Sequence, residues 1–253
     1  MNHDTYWTTR ATVRRFIDKP VEGKQINDIL EAASHAPTTG NMQLYSVIIS
    51  RKKEMLDALA PAHFRQPAMV GAPVVLTFCA DFNRFVKWCK VSAAEPGYDN
   101  FQSFVTAVLD TVIFAQQFVT IAEREGLGCC YLGTTTYNAP DIARTLNLPR
   151  LVVPVTTIAL GWPEGKAELS DRLPLRSFVH EEVYKNPTDD EIGKYYSQKE
   201  SLPENKKFVE ENGKQTLAQV FTDVRYTKAN NEYFSKVYRD FIAEQGFGFP
   251  VEE

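Results

Sequence analysis

Apolar positions along the chain recur with two different periods. Over residues 21–36, Ile26, Ile29, Leu30 and Ala33 fall on one helical face and the pattern stops at Pro37, which predicts an amphipathic helix. The turn-rich segment Pro37-Thr38-Thr39-Gly40-Asn41 leads from it into a short predicted strand over 44–50. A short helix follows over 52–59. The unbroken apolar run over 73–80 reads as a strand covered on both faces. Phe104, Val108, Thr111, Val112, Ala115, Val119 and Ala122 then keep helical spacing up to Gly126. A helix so long and apolar is expected to be buried in a core or at a subunit interface.

Further along, a strand over 128–132 runs into Gly133-Thr134-Thr135-Thr136. A helix is expected over 141–146, and a buried strand over 152–160 closes at Gly161-Trp162-Pro163. Helices and strands alternate irregularly, and no G-x-G-x-x-G follows a strand, so a Rossmann-type dinucleotide fold is poorly supported. The character changes after residue 187. A charged stretch over 194–213 precedes two apolar stripes, Leu217, Val220, Phe221 and Val224, then Tyr233, Phe234, Val237 and Phe241. The expected organisation is a main body over residues 1–187 and a helical extension over 188–253, packed on the body or on a partner chain.

Composition narrows the function classes. The 253-residue chain is 43% hydrophobic and 12% aromatic, ample for a buried core. Its formal net charge of −4 argues against general nucleic-acid binding, so a bound anion needs a local cluster of basic residues. Residues 1–10 are polar and lack a signal-peptide core, and the apolar run at 71–80 is too short to cross a bilayer. A cytoplasmic protein without a membrane partner is expected. Cys79, Cys89, Cys129 and Cys130 show no C-x-x-C spacing and read as structural thiols, the last two on opposite faces of their strand. His3, His35, His63 and His180 are scattered, so no metal site is expected. Asp110, mid-helix among apolar neighbours, needs a hydrogen-bonding partner and reads as a core or interface carboxylate.

Four short segments can carry chemistry. In Arg10-Ala11-Thr12-Val13-Arg14-Arg15-Phe16, Arg10, Thr12 and Arg14 alternate and would point the same way in an extended stretch. Their forked donors match phosphate oxygens, although short basic clusters also form plain surface ion pairs. The Thr38, Thr39, Asn41 and Gln43 segment could line a polar ligand or be an ordinary turn. Tyr131-Leu132-Gly133-Thr134 ends a strand, where ligand loops of α/β proteins usually lie. The fourth is Arg172, in Ser170-Asp171-Arg172-Leu173-Pro174.

The order and spacing of these segments resemble the FMN-dependent nitroreductase superfamily. Residues 10–16 look like its R-x-[ST]-x-R-x-F opening, residues 37–43 like its P-S-S-x-N-x-Q loop, and Gly161-Trp162-Pro163 with Arg172 like its returning basic element. Residues 78–84, the Tyr131–Gly133 stretch and Gln66 are similar to the NADPH-preferring, oxygen-insensitive nitroreductases and flavin reductases. The resemblance implies an α+β fold, a central mixed sheet flanked by helices with a C-terminal helical extension. It also implies a homodimer with FMN sites between subunits. The implied FMN contacts are Arg10, Ala11, Thr12, Arg14, Thr38, Thr39, Asn41, Gln43, Gln66, Tyr131, Leu132, Gly133, Thr134 and Arg172. No protein residue is implied as a nucleophile, since the flavin does the chemistry. Electrons would pass by a ping-pong cycle from NADPH or NADH to nitroaromatics, quinones or flavins. For a nicotinamide 2′-phosphate, Lys199, Lys206, Lys207 and Arg225 are candidates. Ser170 stands where a lysine is common beside the phosphate, and Thr134 where a second glycine is common. The competing readings are a flavin holder without turnover and another flavin reaction such as reductive dehalogenation.

Overall fold

A computed structural model describes residues 5–248, so His3 and the first four residues of the polar N-terminal segment lie outside the description. The sheet has four strands: β1 (Tyr45–Ser50), β2 (Val74–Asp81), β3 (Gly128–Leu132) and β4 (Val152–Gly161), in the order β1-β2-β4-β3. Registers such as Tyr45 opposite Ala80, Val74 opposite Leu160 and Gly128 opposite Gly161 make all three pairings antiparallel. The class is the expected α+β, but the described sheet is antiparallel throughout rather than mixed. β2 is buried at every position, as its unbroken apolar run predicts.

The pleat sorts that run onto two cores. Val74, Leu76 and Phe78 face the first, with Phe114, Phe118 and Val119 of the long helix α4 (Phe101–Arg124) and Ile26 and Ile29 of α1 (Gly23–Ala33). Val75 faces the other, with Leu132, Leu59 of α2 (Lys53–Leu59) and Ile142 of α5 (Ala139–Thr145). Cys129 joins the first core and Cys130 the second, on opposite faces as the strand requires, and both thiols are free. At one end a third cluster joins Leu44, Phe82 and Phe104 to Phe241, Ile242 and Phe247. Phe82 immediately precedes α3 (Asn83–Val91).

By length and composition alone α4 could cross a membrane, yet it spends one face on the sheet core and buries Asp110 at mid-length. Leu109, Val112 and Ile113 on it stay exposed.

The chain forms two compact units. One runs through Glu168 and resumes at Phe234, and the other is Leu169–Tyr233. The single boundary expected at residue 188 is thus replaced by two, because Phe241 and Ile242, near the end of α8 (Lys228–Glu244), are core residues of the first unit. In the second unit, α6 (Asp189–Ser201) opens with a reciprocal cap. Glu191 N–H donates to the Thr188 hydroxyl and Thr188 N–H to Glu191 Oε2. α7 (Pro203–Glu211) follows, with proline in its first turn.

Candidate functional site

Residues 10–16 lie extended beside β3, where Val13 N–H donates to the Cys129 carbonyl at 3.1 Å. That approach depends on Gly128, since a Cβ there would sit 2.6 Å from Val13 Cγ1. Phe16 then bridges to Pro163, Ile17 N–H donates to the Trp162 carbonyl at 2.9 Å, and Glu164 N–H to the Arg15 carbonyl at 3.1 Å. Two backbone attachments therefore bring the arginine segment against the chain leaving β4. Between them lies an open groove of about 530 Å³, lined by Thr12, Arg14, Arg15 and Lys166 together with Glu164 and Glu168. Among the described residues, no ion pair or side-chain hydrogen bond holds Arg14, Arg15 or Lys166. The groove's three cations outnumber its two carboxylates, and none of the three is held by a direct ion pair, so their donors are available to an anion such as a phosphate monoester.

Arg10 is used differently. Its Nε lies 3.0 and 3.1 Å from the two Glu123 carboxylate oxygens and its Nη2 2.9 Å from Oε1, a forked pair in which the Glu123 side chain is only 8% exposed. The Tyr6 hydroxyl donates to the same carboxylate at 2.8 Å, and burial, with Glu123 adding, pushes Tyr6 up to about 12. Only Nη1 of Arg10 reaches toward the site, donating to the Thr12 hydroxyl at 3.3 Å. The alternation of Arg10, Thr12 and Arg14 thus brings Thr12 and Arg14 to one groove and leaves Arg10 outside its lining. Ala11 sits between them in the same extended segment.

Two loops next to the sheet carry strained backbone. Among the described non-glycine residues eight have positive φ, and four of them are Asn41, Gln43, Phe64 and Arg65. Left-handed backbone outside glycine persists only where surroundings enforce it, so this concentration marks the two loops as over-determined. In the first loop Thr39 and Leu44 bond to Asp110, and the Thr38 hydroxyl accepts from Gln43 N–H at 3.1 Å. The Asn41 and Gln43 side chains are left exposed. Asp110 is therefore the hydrogen-bonded core carboxylate its position predicts. The second loop ends at Gln66, which precedes a four-residue helix, Pro67–Val70.

The loop after β3 is tied to the second of these. His63 is fully buried, its Nδ1 3.0 Å from the Thr134 hydroxyl, and Asn138 Nδ2 donates to the Ala62 carbonyl at 2.7 Å. Burial pushes His63 down to about 4, so the ring is neutral at ordinary pH. Thr134 turns its hydroxyl inward, away from the role of a second glycine. Gly133 is open, and a Cβ on it would meet nothing within 4 Å. Leu132 is 1% exposed and packed in the core, so only its backbone faces the loop. The Tyr131 hydroxyl donates to Gln116 Oε1 at 3.3 Å, and burial raises its pKa.

The remaining candidates lie in the second unit. Arg172 Nη1 donates to the carbonyls of Ser170 and Asp171 at 3.1 and 2.8 Å. Lys199 pairs with Asp171 at 3.0 Å, Lys207 with Glu211 at 3.7 Å, and Arg225 lies 4.1 Å from the Phe208 ring centre. Lys206 has no ion pair among the described residues. Arg15 and Lys166 are the residues sequence reasoning passed over. Lys166 stands three residues past Pro163, and its signal was proximity to that strand end rather than alignment with Ser170.

A family model described as the nitroreductase family matches residues 8–162, more than half of the chain. The oxygen-insensitive NADPH nitroreductase of Salmonella typhimurium strain LT2 is 33% identical over 181 residues, covering 72% of this chain and 73% of that protein. An FMN reductase (NAD(P)H) of Bacillus subtilis strain 168 is 29% identical, with 95% of each chain covered. The crystal structure of a Bacteroides fragilis NCTC 9343 protein superposes with a TM-score of 0.94 at 50% identity, over 96% of this chain and 99% of that one.

Proposed function

Because the chain belongs to the nitroreductase family, we propose that it is an FMN-dependent oxidoreductase drawing electrons from NAD(P)H. The observation that carries this reading is the groove where Arg14, Arg15 and Lys166 stand without partners beside Thr12. Its donor set fits a flavin phosphate. Arg14 would grip that phosphate with a forked guanidinium, and Lys166 would supply the cation that Ser170 cannot. At the other end, the exposed side chains of Asn41 and Gln43, with Gln66, would meet the ring, and the bare Gly133 backbone leaves room for a planar group. When bound, FMN supplies the redox chemistry, taking hydride from the nicotinamide and passing electrons to the acceptor. The protein's part is to bind, orient and tune, and it needs no nucleophile.

The favoured donor is NADPH and the favoured acceptors are nitroaromatics, quinones or flavins, in a ping-pong cycle; the names of the Salmonella and Bacillus relatives support an NAD(P)H donor and a nitro or flavin acceptor. The exposed Leu109, Val112 and Ile113 on α4 support a homodimer. Lys206, for which no ion pair occurs among the described residues, is the favoured contact for a 2′-phosphate.

The test is direct. The purified protein should be yellow, absorbing at about 450 nm from bound flavin, and anaerobic NADPH should bleach it. Parallel double-reciprocal plots with nitrofurazone or menadione as acceptor would support the ping-pong cycle. A colourless protein that takes up no added FMN overturns the reading, and bound flavin that neither nicotinamide bleaches points to a carrier.

A further inference from the structure

We propose that Asp110 and Arg84 are positioning residues that hold the 38–44 loop in the shape that meets the flavin, an inference that rests on the FMN reading above. Asp110 is 1% exposed at the middle of α4. Its Oδ1 accepts from both the amide and the hydroxyl of Thr39 at 2.9 Å, and its Oδ2 from Leu44 N–H at 3.3 Å. The carboxylate thus grips both ends of the loop and meets only donors. From α3, the Arg84 guanidinium donates to the carbonyl of Gln43 and, at 3.2 Å, to that of Tyr45. Arg84 is itself steadied by Asp81 at 3.6 Å.

Between these ties the backbone is left-handed at Gly40, Asn41 and Gln43, with φ of 54°, 55° and 53°. Without the ties, Asn41 and Gln43 would relax to ordinary backbone and turn their side chains elsewhere. Their amides hold one another, Gln43 Nε2 donating to Asn41 Oδ1 at 3.3 Å, so the pair is presented as a unit. A neutral amide cannot replace the carboxylate. Asn at 110 would set an N–H₂ against the donors of Thr39 or Leu44.

The experiment titrates FMN into apo-protein of the wild type, Asp110→Asn, Arg84→Ala and Arg84→Lys. It also records the visible spectrum and midpoint potential of the bound flavin, and the melting of each apo-protein. We expect Asp110→Asn to weaken FMN binding about tenfold or more and Arg84→Ala by a smaller factor. The flavin band and potential should shift in both, and Arg84→Lys should recover part of the loss. Unchanged affinity and potential in Asp110→Asn, even with a lower melting temperature, would mean a purely structural carboxylate and overturn the proposal. Should Asp110→Asn not fold, the exposed Arg84 decides alone: equal affinity and potential for alanine, lysine and wild type overturn the proposal. A wild type that takes up no FMN fails the cofactor reading instead.

Discussion

The Nδ1 of His63 and the hydroxyl of Thr134 lie 3.0 Å apart, and both residues are buried. Through this contact the loop after β3 is fixed to the loop leading to Gln66, two candidate flavin segments far apart in sequence. His63 Nε2 has no partner among the described residues, so a proton there would be unsatisfied and buried.

A pH dependence follows. Burial depresses the folded-state pKa of His63 from 6.5 to about 4. Between those values the unfolded chain binds a proton that the folded chain refuses, so the stability present above pH 6.5 falls as the pH drops toward 4. The loss should be roughly 3 kcal/mol. Urea unfolding of wild type and His63→Gln across that range checks it, with the variant expected to show the flatter profile. Matching profiles would rule the histidine out as the cause.

Arg14→Ala should weaken FMN binding by roughly 1.5–3 kcal/mol, the range for a hydrogen bond to a charged group. Lys166→Ala should cost less, about 1 kcal/mol, and should make the affinity less sensitive to salt because a point charge is lost from an open groove. Flavin fluorescence titrations at two ionic strengths separate the two. A Lys166→Ala protein with wild-type affinity and salt dependence would remove that residue from the site.

Arg10 and Glu123 should answer to a different assay. Glu123→Gln leaves a half-buried guanidinium facing a neutral amide, so stability should drop by roughly 1–3 kcal/mol. FMN affinity should fall less than it does in Arg14→Ala. A loss of affinity as large as that of Arg14→Ala, without loss of stability, would return Arg10 to the binding groove.

Gly128→Ala places a methyl 2.6 Å from Val13 Cγ1. Overpacking of this kind costs roughly 1–3 kcal/mol, and here it would also push the arginine segment off β3. The double variant Gly128→Ala/Val13→Ala should regain part of the stability. Additive losses would show that the two positions do not press on each other.

The elements were largely legible because period and burial agree. The apolar run at 73–80 became the fully buried β2, and the helical spacing from Phe104 to Ala122 lies within α4. The chemistry was legible as motifs but not as partnerships. Arg10 and Arg14 look equivalent in sequence, and only the fold sets Glu123, 113 residues away from Arg10, beside one of them. Lys166 is not marked in the sequence, because Ser170 occupies the position where a lysine is common in the family, whereas two backbone attachments decide which residues after Pro163 lie beside Arg14. The two unit boundaries could not be read either, since nothing local marks Phe241 as belonging to a core built mostly over a hundred residues earlier.

The Asp110 carboxylate should give the 38–44 loop a long lifetime for a surface segment. Amide protons of exposed loops ordinarily exchange with solvent in brief local openings. Those of Thr39 and Leu44 are donated to a side chain rooted in the central helix, so they are free to exchange only when that grip opens. Their exchange should be slow and should track the helix rather than the surface. A flexible-looking loop then opens on the clock of the core.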